Sequence, residues 1–131
     1  MTHQTPLPSP LREYSVDARS TPTFGRVLCS ARTHHFVIDG PVANGCPGEE
    51  LTPPEAFLSG VAACGVELLQ VIAREQSVPL GDVAVRIHAV VDRSRPVRPD
   101  VTLFNSVRVQ FTLSGVPDNR ASALIEQFKK R

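Results

Sequence analysis

The sequence predicts an α+β domain, and three observations carry that expectation. Apolar and polar residues alternate in two separate stretches, one before residue 40 and one after residue 82, as half-buried antiparallel strands require. Between them, residues 52–75 open on a proline-marked start and continue with apolar side chains nearly all round, the pattern of a buried helix. The length, 131 residues, allows one domain with a real core and is too short for two ordinary ones.

The elements follow in order. Residues 1–12 carry Pro6, Pro8 and Pro10 among polar neighbours and are expected to form a disordered or extended arm, with the domain spanning residues 13–131. Tyr14, Val16 and Ala18 alternate with Ser15, Asp17 and Arg19 as a short strand, and Pro22 then turns the chain. Residues 24–31 and 35–39 read as two more strands, joined by a tight hairpin at Arg32 and Thr33. Gly40, Pro41, Asn44, Gly45, Pro47 and Gly48 make residues 40–51 a loop, and Cys46 sits within it.

The helix start is the clearest local signal. Thr52 stands at the cap, Pro53 at the first helical position and Glu55 at the third, a capping box with a favoured proline. Phe57, Leu58, Val61, Val66, Leu68, Leu69, Val71 and Ile72 then cover most of the circumference, so protein must surround the helix. A chain this short is expected to draw part of that cover from a second subunit. After Pro79 the period becomes two: Val83, Val85, Ile87 and Ala89 face inward, Arg86 and His88 outward. A link with Pro96 and Pro99 leads to a strand whose inner face is Val107, Val109, Phe111 and Leu113. Asp118 or Asn119 opens a last helix with Ala121, Leu124, Ile125 and Phe128 inward, and Lys129, Lys130 and Arg131 complement its C-terminal dipole.

Composition narrows function. Fourteen Lys and Arg against thirteen Asp and Glu leave a net charge of +1, so no field of one sign favours nucleic acid or an anionic membrane. No unbroken apolar run approaches the roughly 18 residues of a bilayer span, and residues 1–10 show no secretory signal. A cytoplasmic protein without a cofactor is expected. Three cysteines, Cys29, Cys46 and Cys64, make a disulfide framework improbable. A zinc site from Cys29, Cys46, His34 and His35 would match no common ligand spacing.

Thiol chemistry or inert packing remain for the cysteines. Cys64 lies mid-helix between Ala63 and Gly65, one turn after Gly60, where small neighbours let another molecule approach the sulfur. Glu55 is explained by the capping box alone, and Arg19, Arg26 and Arg32 by a solvated strand face.

Residues 51–64, from Leu51-Thr52-Pro53-Pro54-Glu55 to Ala62-Ala63-Cys64, resemble the signature of the OsmC (osmotically inducible protein C) and organic hydroperoxide resistance family. Phe24-Gly25-Arg26-Val27, the run from His34 to Pro41, and Val83 to Ile87 flank it in matching order. The resemblance implies an intertwined α+β homodimer with active sites at the subunit interface. It also implies that the helix cysteine attacks a peroxide oxygen of a small organic hydroperoxide. A second cysteine resolves the sulfenic acid, and an external dithiol such as a lipoyl protein restores the thiols. Transferred to this chain, Cys64 is the peroxidatic thiol, and Glu55, one residue closer to it than in the hydroperoxide branch, is a supporting carboxylate. The family's active-site arginine falls on Thr23, leaving Arg26 or Arg19 as the thiolate partner. No cysteine follows Cys64, so Cys46, on its flexible loop, is the candidate resolving thiol, while Cys29 is expected to be buried in a strand. The alternative is a non-catalytic homodimer of the same fold that binds a small apolar ligand at the interface.

Overall fold

A computed structural model describes residues 10–131; most of the expected N-terminal arm lies outside them, and Pro10, Leu11 and Arg12 belong to no helix or strand. Two compact units follow, the first running to Pro53 and the second spanning Pro54–Arg131. Together they hold five strands and two helices in the order β1 (Asp17–Ser20), β2 (Arg26–Ala31), β3 (His34–Asp39), α1 (Pro53–Glu75), β4 (Val83–Val90), β5 (Ser106–Leu113) and α2 (Asp118–Phe128). The fold is α+β, as the alternating periods imply.

The first unit is an antiparallel sheet in the order β1-β2-β3. The hairpin turns where the sequence predicts it: Ala31 pairs with His34, and Arg32 takes a positive φ of 54° to close the turn. β1 is shorter and later than the alternation of residues 14–19 implies. Asp17 pairs with Ser30, so Val16 could reach only Ala31, and Tyr14 would lie beyond the end of β2. Pairing sets the strand, and Tyr14 and Val16 stay exposed. Residues 40–51 form a tied loop instead of a flexible one, with a 3₁₀ turn at Val42–Asn44. Its backbone is pinned by Gly40 N–H to Gly25 O (2.8 Å), Gly48 N–H to Gly40 O (3.2 Å) and Asp39 N–H to Leu51 O (3.0 Å).

In the second unit, β4 and β5 pair antiparallel from Val83 opposite Leu113 to Val90 opposite Ser106. The core gathers Leu69, Ile72 and Ala73 of α1 with Val78 and Leu124, and Phe111, Leu113, Ile125 and Phe128 pack against it. Phe111 and Phe128 meet edge to face, centroids 5.5 Å apart, joining β5 to α2. The buried residues of α1 are Gly65, Leu69, Ile72 and Ala73, one stripe at helical spacing confined to its second half. Its first half is uncovered, with Phe57 66% and Val61 41% exposed. Val107 and Val109, expected on an inner face, are likewise exposed, because α1 and α2 cover only the Phe111–Leu113 end of that face. By length and composition alone α1 could cross a membrane, with a mean hydropathy of 1.8, although no unbroken apolar run reaches that length. Its buried stripe makes it a core helix.

Candidate functional site

Cys64 is exposed, about 100° round the helix from Gly65 of the buried stripe. Phe57, Gly60, Val61 and Cys64 recur at i, i+3, i+4 and i+7, so the helix period alone sets them on one face. That face forms one side of an open cleft of about 530 Å³, whose other side is Phe128, Lys129 and Arg131. Gly60 leaves the cleft wide: a Cβ there would meet nothing within 4 Å. The walls are therefore mainly apolar, with two cations at one end.

Both cations have carboxylate partners outside the cleft. Lys129 Nζ lies 2.9 Å from Glu126 Oε1, and Arg131 Nη2 lies 3.0 Å from Glu75 Oε2. The Lys129 hydrogen bond, with its charge, holds the Glu126 carboxyl below its ordinary pKa. All four side chains are well exposed, so these pairs are weak enough to exchange for a bound anion or oxygen. A second hollow of about 490 Å³, between Glu67, Gln70 and Arg74 of α1 and Pro79, Leu80 and Gly81, is lined by no cysteine.

Arg26 and Cys46 each have partners within the first unit. Arg26 is not a free cation. Its Nε and Nη2 donate to the two oxygens of Asp39, both at 2.9 Å, and Nη2 also reaches Glu49 at 3.2 Å. Asp39 is wholly buried and also accepts the backbone N–H groups of Glu49 (3.0 Å) and Glu50 (3.1 Å) on Oδ2. The Arg26 hydrogen bonds, followed by those backbone donors, outweigh desolvation and hold the Asp39 carboxyl down at about 2; the guanidinium is pushed up in return by the Asp39 bond. This network staples the loop of residues 40–51 to the ends of β2 and β3.

Cys46 is likewise fixed. Its side chain fills the notch left by two glycines: a Cβ added at Gly25 or at Gly40 would stand 2.4 Å from Cys46 Sγ. Its thiol points at Asn44 O (3.9 Å), and its N–H donates to Pro41 O (3.3 Å). Cys29 is buried in β2, opposite Ala18 and Phe36. Glu55 occupies the first turn of α1, exposed. Among the described residues no three His, Cys, Asp or Glu side chains gather in a way that could hold a metal ion.

Of the cleft residues, the sequence pattern singles out only Cys64 and its α1 neighbours. Phe128, Lys129 and Arg131 read as a core residue and a dipole complement, and no local signal brings them to the thiol.

Residues 46–131 match the OsmC-like protein family. The chain belongs to that family. No curated protein matches it in sequence. Among solved structures it is similar to an OsmC-like protein from Mycoplasma pneumoniae, with a TM-score of 0.78 and 15% identity over 92% of this chain and 82% of that one. An organic hydroperoxide resistance protein OsmC from Legionella pneumophila gives a TM-score of 0.73 and 18% identity over 93% and 85%. An organic hydroperoxide resistance protein from Elizabethkingia anophelis, solved with crystallant-derived thiocyanate bound, gives 0.72 and 16% over 92% and 83%. At these identities the likeness establishes that this OsmC-like chain has the fold of those proteins.

Proposed function

We propose that this OsmC-like protein is a thiol-dependent peroxidase that reduces small organic hydroperoxides through Cys64. The carrying observation is an exposed thiol in a mainly apolar cleft, between Phe57 and Val61 on one side and Phe128 on the other. An alkyl or aryl peroxide gains by burying its apolar part there, whereas hydrogen peroxide has no apolar part to bury. Two of the solved proteins of this fold are organic hydroperoxide resistance proteins, which agrees with that substrate class.

The chemistry is a two-electron oxidation of sulfur. The Cys64 thiolate attacks the terminal peroxide oxygen, an S–O bond forms, and the O–O bond breaks. The alkoxide leaves with that electron pair and takes up a proton as the alcohol, while Cys64 becomes a sulfenic acid. Lys129 and Arg131, lining the same cleft, are the donors available to the leaving oxygen. Because Cys46 is packed into its notch, an external dithiol such as a lipoyl protein completes the cycle. One of its thiols displaces water from the sulfenic acid, and the other releases the Cys64 thiol as the dithiol closes to a disulfide. Glu55, in the first turn of the same helix, has a supporting place.

The functional unit is a homodimer. Phe57, Val61, Val107 and Val109 are too exposed for a lone soluble chain, and a second copy that covers the first half of α1 would close the open side of the cleft. Cumene hydroperoxide consumption with a dithiol reductant tests the assignment. Wild-type protein should turn over and Cys64→Ser should not. Equal consumption by the two proteins would leave a ligand-binding homodimer as the reading.

A further inference from the structure

The outer face of the β4–β5 ribbon lies in the second unit, and nothing in the peroxidase reading uses it. Eight side chains alternate onto it: Ala84, Arg86, His88 and Val90 from β4, and Ser106, Arg108, Gln110 and Thr112 from β5. None is acidic. In the register, Arg86 is opposite Gln110 and His88 is opposite Arg108, so Arg86 and Arg108 are diagonal neighbours. Diagonal cross-strand neighbours lie about 7–8 Å apart at Cα, within reach of a shared ligand.

Those four side chains alone line a shallow hollow of about 200 Å³. Some exposed cations elsewhere are matched, Arg98 with Asp100, Lys129 with Glu126 and Arg131 with Glu75, and others, such as Arg93, Arg95 and Arg120, have no ion pair among the described residues. Among the described residues, neither Arg86 nor Arg108 has an ion-pair partner. Two unmatched guanidiniums on adjacent strands repel each other in a chain whose total charge is only +1. An anion seated between them would remove that repulsion.

We propose that this face binds the phosphate group of a small phosphate monoester. Arg86 and Arg108 hold the oxygens, and His88 and Gln110 supply further donors. Donor count and charge choose the anion. Two guanidinium forks, a ring N–H and an amide NH₂ exceed what the two oxygens of one carboxylate accept, and they suit the three terminal oxygens and near −2 charge of a monoester. The extent of the patch chooses the size. A nucleic-acid backbone needs a track of cations, and this face has one cluster bounded by Ala84, Val90, Ser106 and Thr112.

The test is a titration of the full chain with phenyl phosphate, inorganic phosphate and benzoate at constant ionic strength. Binding is read from the arginine Nε–H and backbone resonances. Phenyl phosphate is expected to saturate at one molecule per chain and to shift Arg86 and Arg108, with inorganic phosphate weaker and benzoate inert. Arg86→Gln and Arg108→Gln should each weaken binding about tenfold or more, Arg108→Lys by less, and Arg98→Gln not at all. Peroxide turnover should be unchanged in all four, so loss of the peroxidase reading would leave this one standing. Shifts that fail to saturate, an equal response to benzoate, or full affinity in both glutamine variants would overturn the proposal. So would binding to an oligonucleotide or to phosphatidic acid vesicles with none to phenyl phosphate.

Discussion

If Cys46 is a packing residue and not a mobile thiol, then the glycine that makes room for it must be coupled to it energetically. Replacing Gly40 by Ala puts a Cβ 2.4 Å from Cys46 Sγ and 2.9 Å from Cys46 Cβ. Rotation about χ1 could move the sulfur but not the Cβ, so the loop itself has to give way. Overpacking of this kind costs about 1–3 kcal/mol. Gly40 lacks a positive φ, so alanine is otherwise allowed there and stabilises by about 0.4–1 kcal/mol through the unfolded chain. The net effect in wild-type protein is a loss of about 1–2 kcal/mol. With Cys46→Gly in place the next obstacle is Gly25 O at 3.7 Å, an ordinary contact. The same Gly40→Ala change should then be neutral or slightly stabilising. Urea unfolding of the four proteins in this cycle, at one fixed protein concentration, reads the coupling directly. Gly40→Ala that costs nothing in wild-type protein would mean that Cys46 swings aside freely. Equal cost in both backgrounds would mean that something other than Cys46 fills the notch. Either result refutes the packing argument and reopens Cys46 as a resolving thiol.

The remaining predictions address the core, the ion pair and the cleft. Leu69→Ala, at a wholly buried position of α1, should lower unfolding free energy by about 2–5 kcal/mol. The Asp39 carboxyl sits below its unfolded value of 3.8, at about 2 when folded, so its contribution is complete above pH 3.8 and lost as pH falls towards 2. Asp39→Asn should therefore be less stable at neutral pH and flatter across that window in pH-dependent urea melts; a slope matching wild type would dismiss the pair as a stabiliser. Alkylation under native conditions, followed by peptide mapping, should modify the exposed Cys64 first and the buried Cys29 last. Gly60→Phe should fill the open cleft and raise KM for cumene hydroperoxide; an unchanged KM would place the substrate elsewhere.

The long elements are legible in the sequence because each has its own period. α1 has a proline start and a helical apolar repeat, and β4 alternates without a break over its whole length. β1 is shorter than its alternation implies because alternation states only what a strand could do, whereas its partner's length decides what it does. For the site, α1 alone brings Phe57, Gly60, Val61 and Cys64 to one face, so that half of the cleft follows from spacing. The other half does not: Phe128, Lys129 and Arg131 come from the far end of the chain, and only packing brings them there.

The local surroundings of Arg26 and Cys46 are also within reach of the sequence. Once the turn is set at Arg32 and Thr33, with Ala31 opposite His34, counting outward along the hairpin places Arg26 opposite Asp39. A further step aligns Gly25 with Gly40, whose N–H indeed donates to Gly25 O. An arginine and an aspartate directly across a strand pair should bind each other first. Two glycines side by side at the open end of that hairpin leave a hole for a nearby side chain, and Cys46 is only a short turn further along. Resemblance to the family does not say which arginine is already occupied; hairpin register does. In this chain the register pairs Arg26 with Asp39, and the packing of α1 against α2 places Lys129 and Arg131, each in an exposed ion pair of its own, along the same cleft as Cys64.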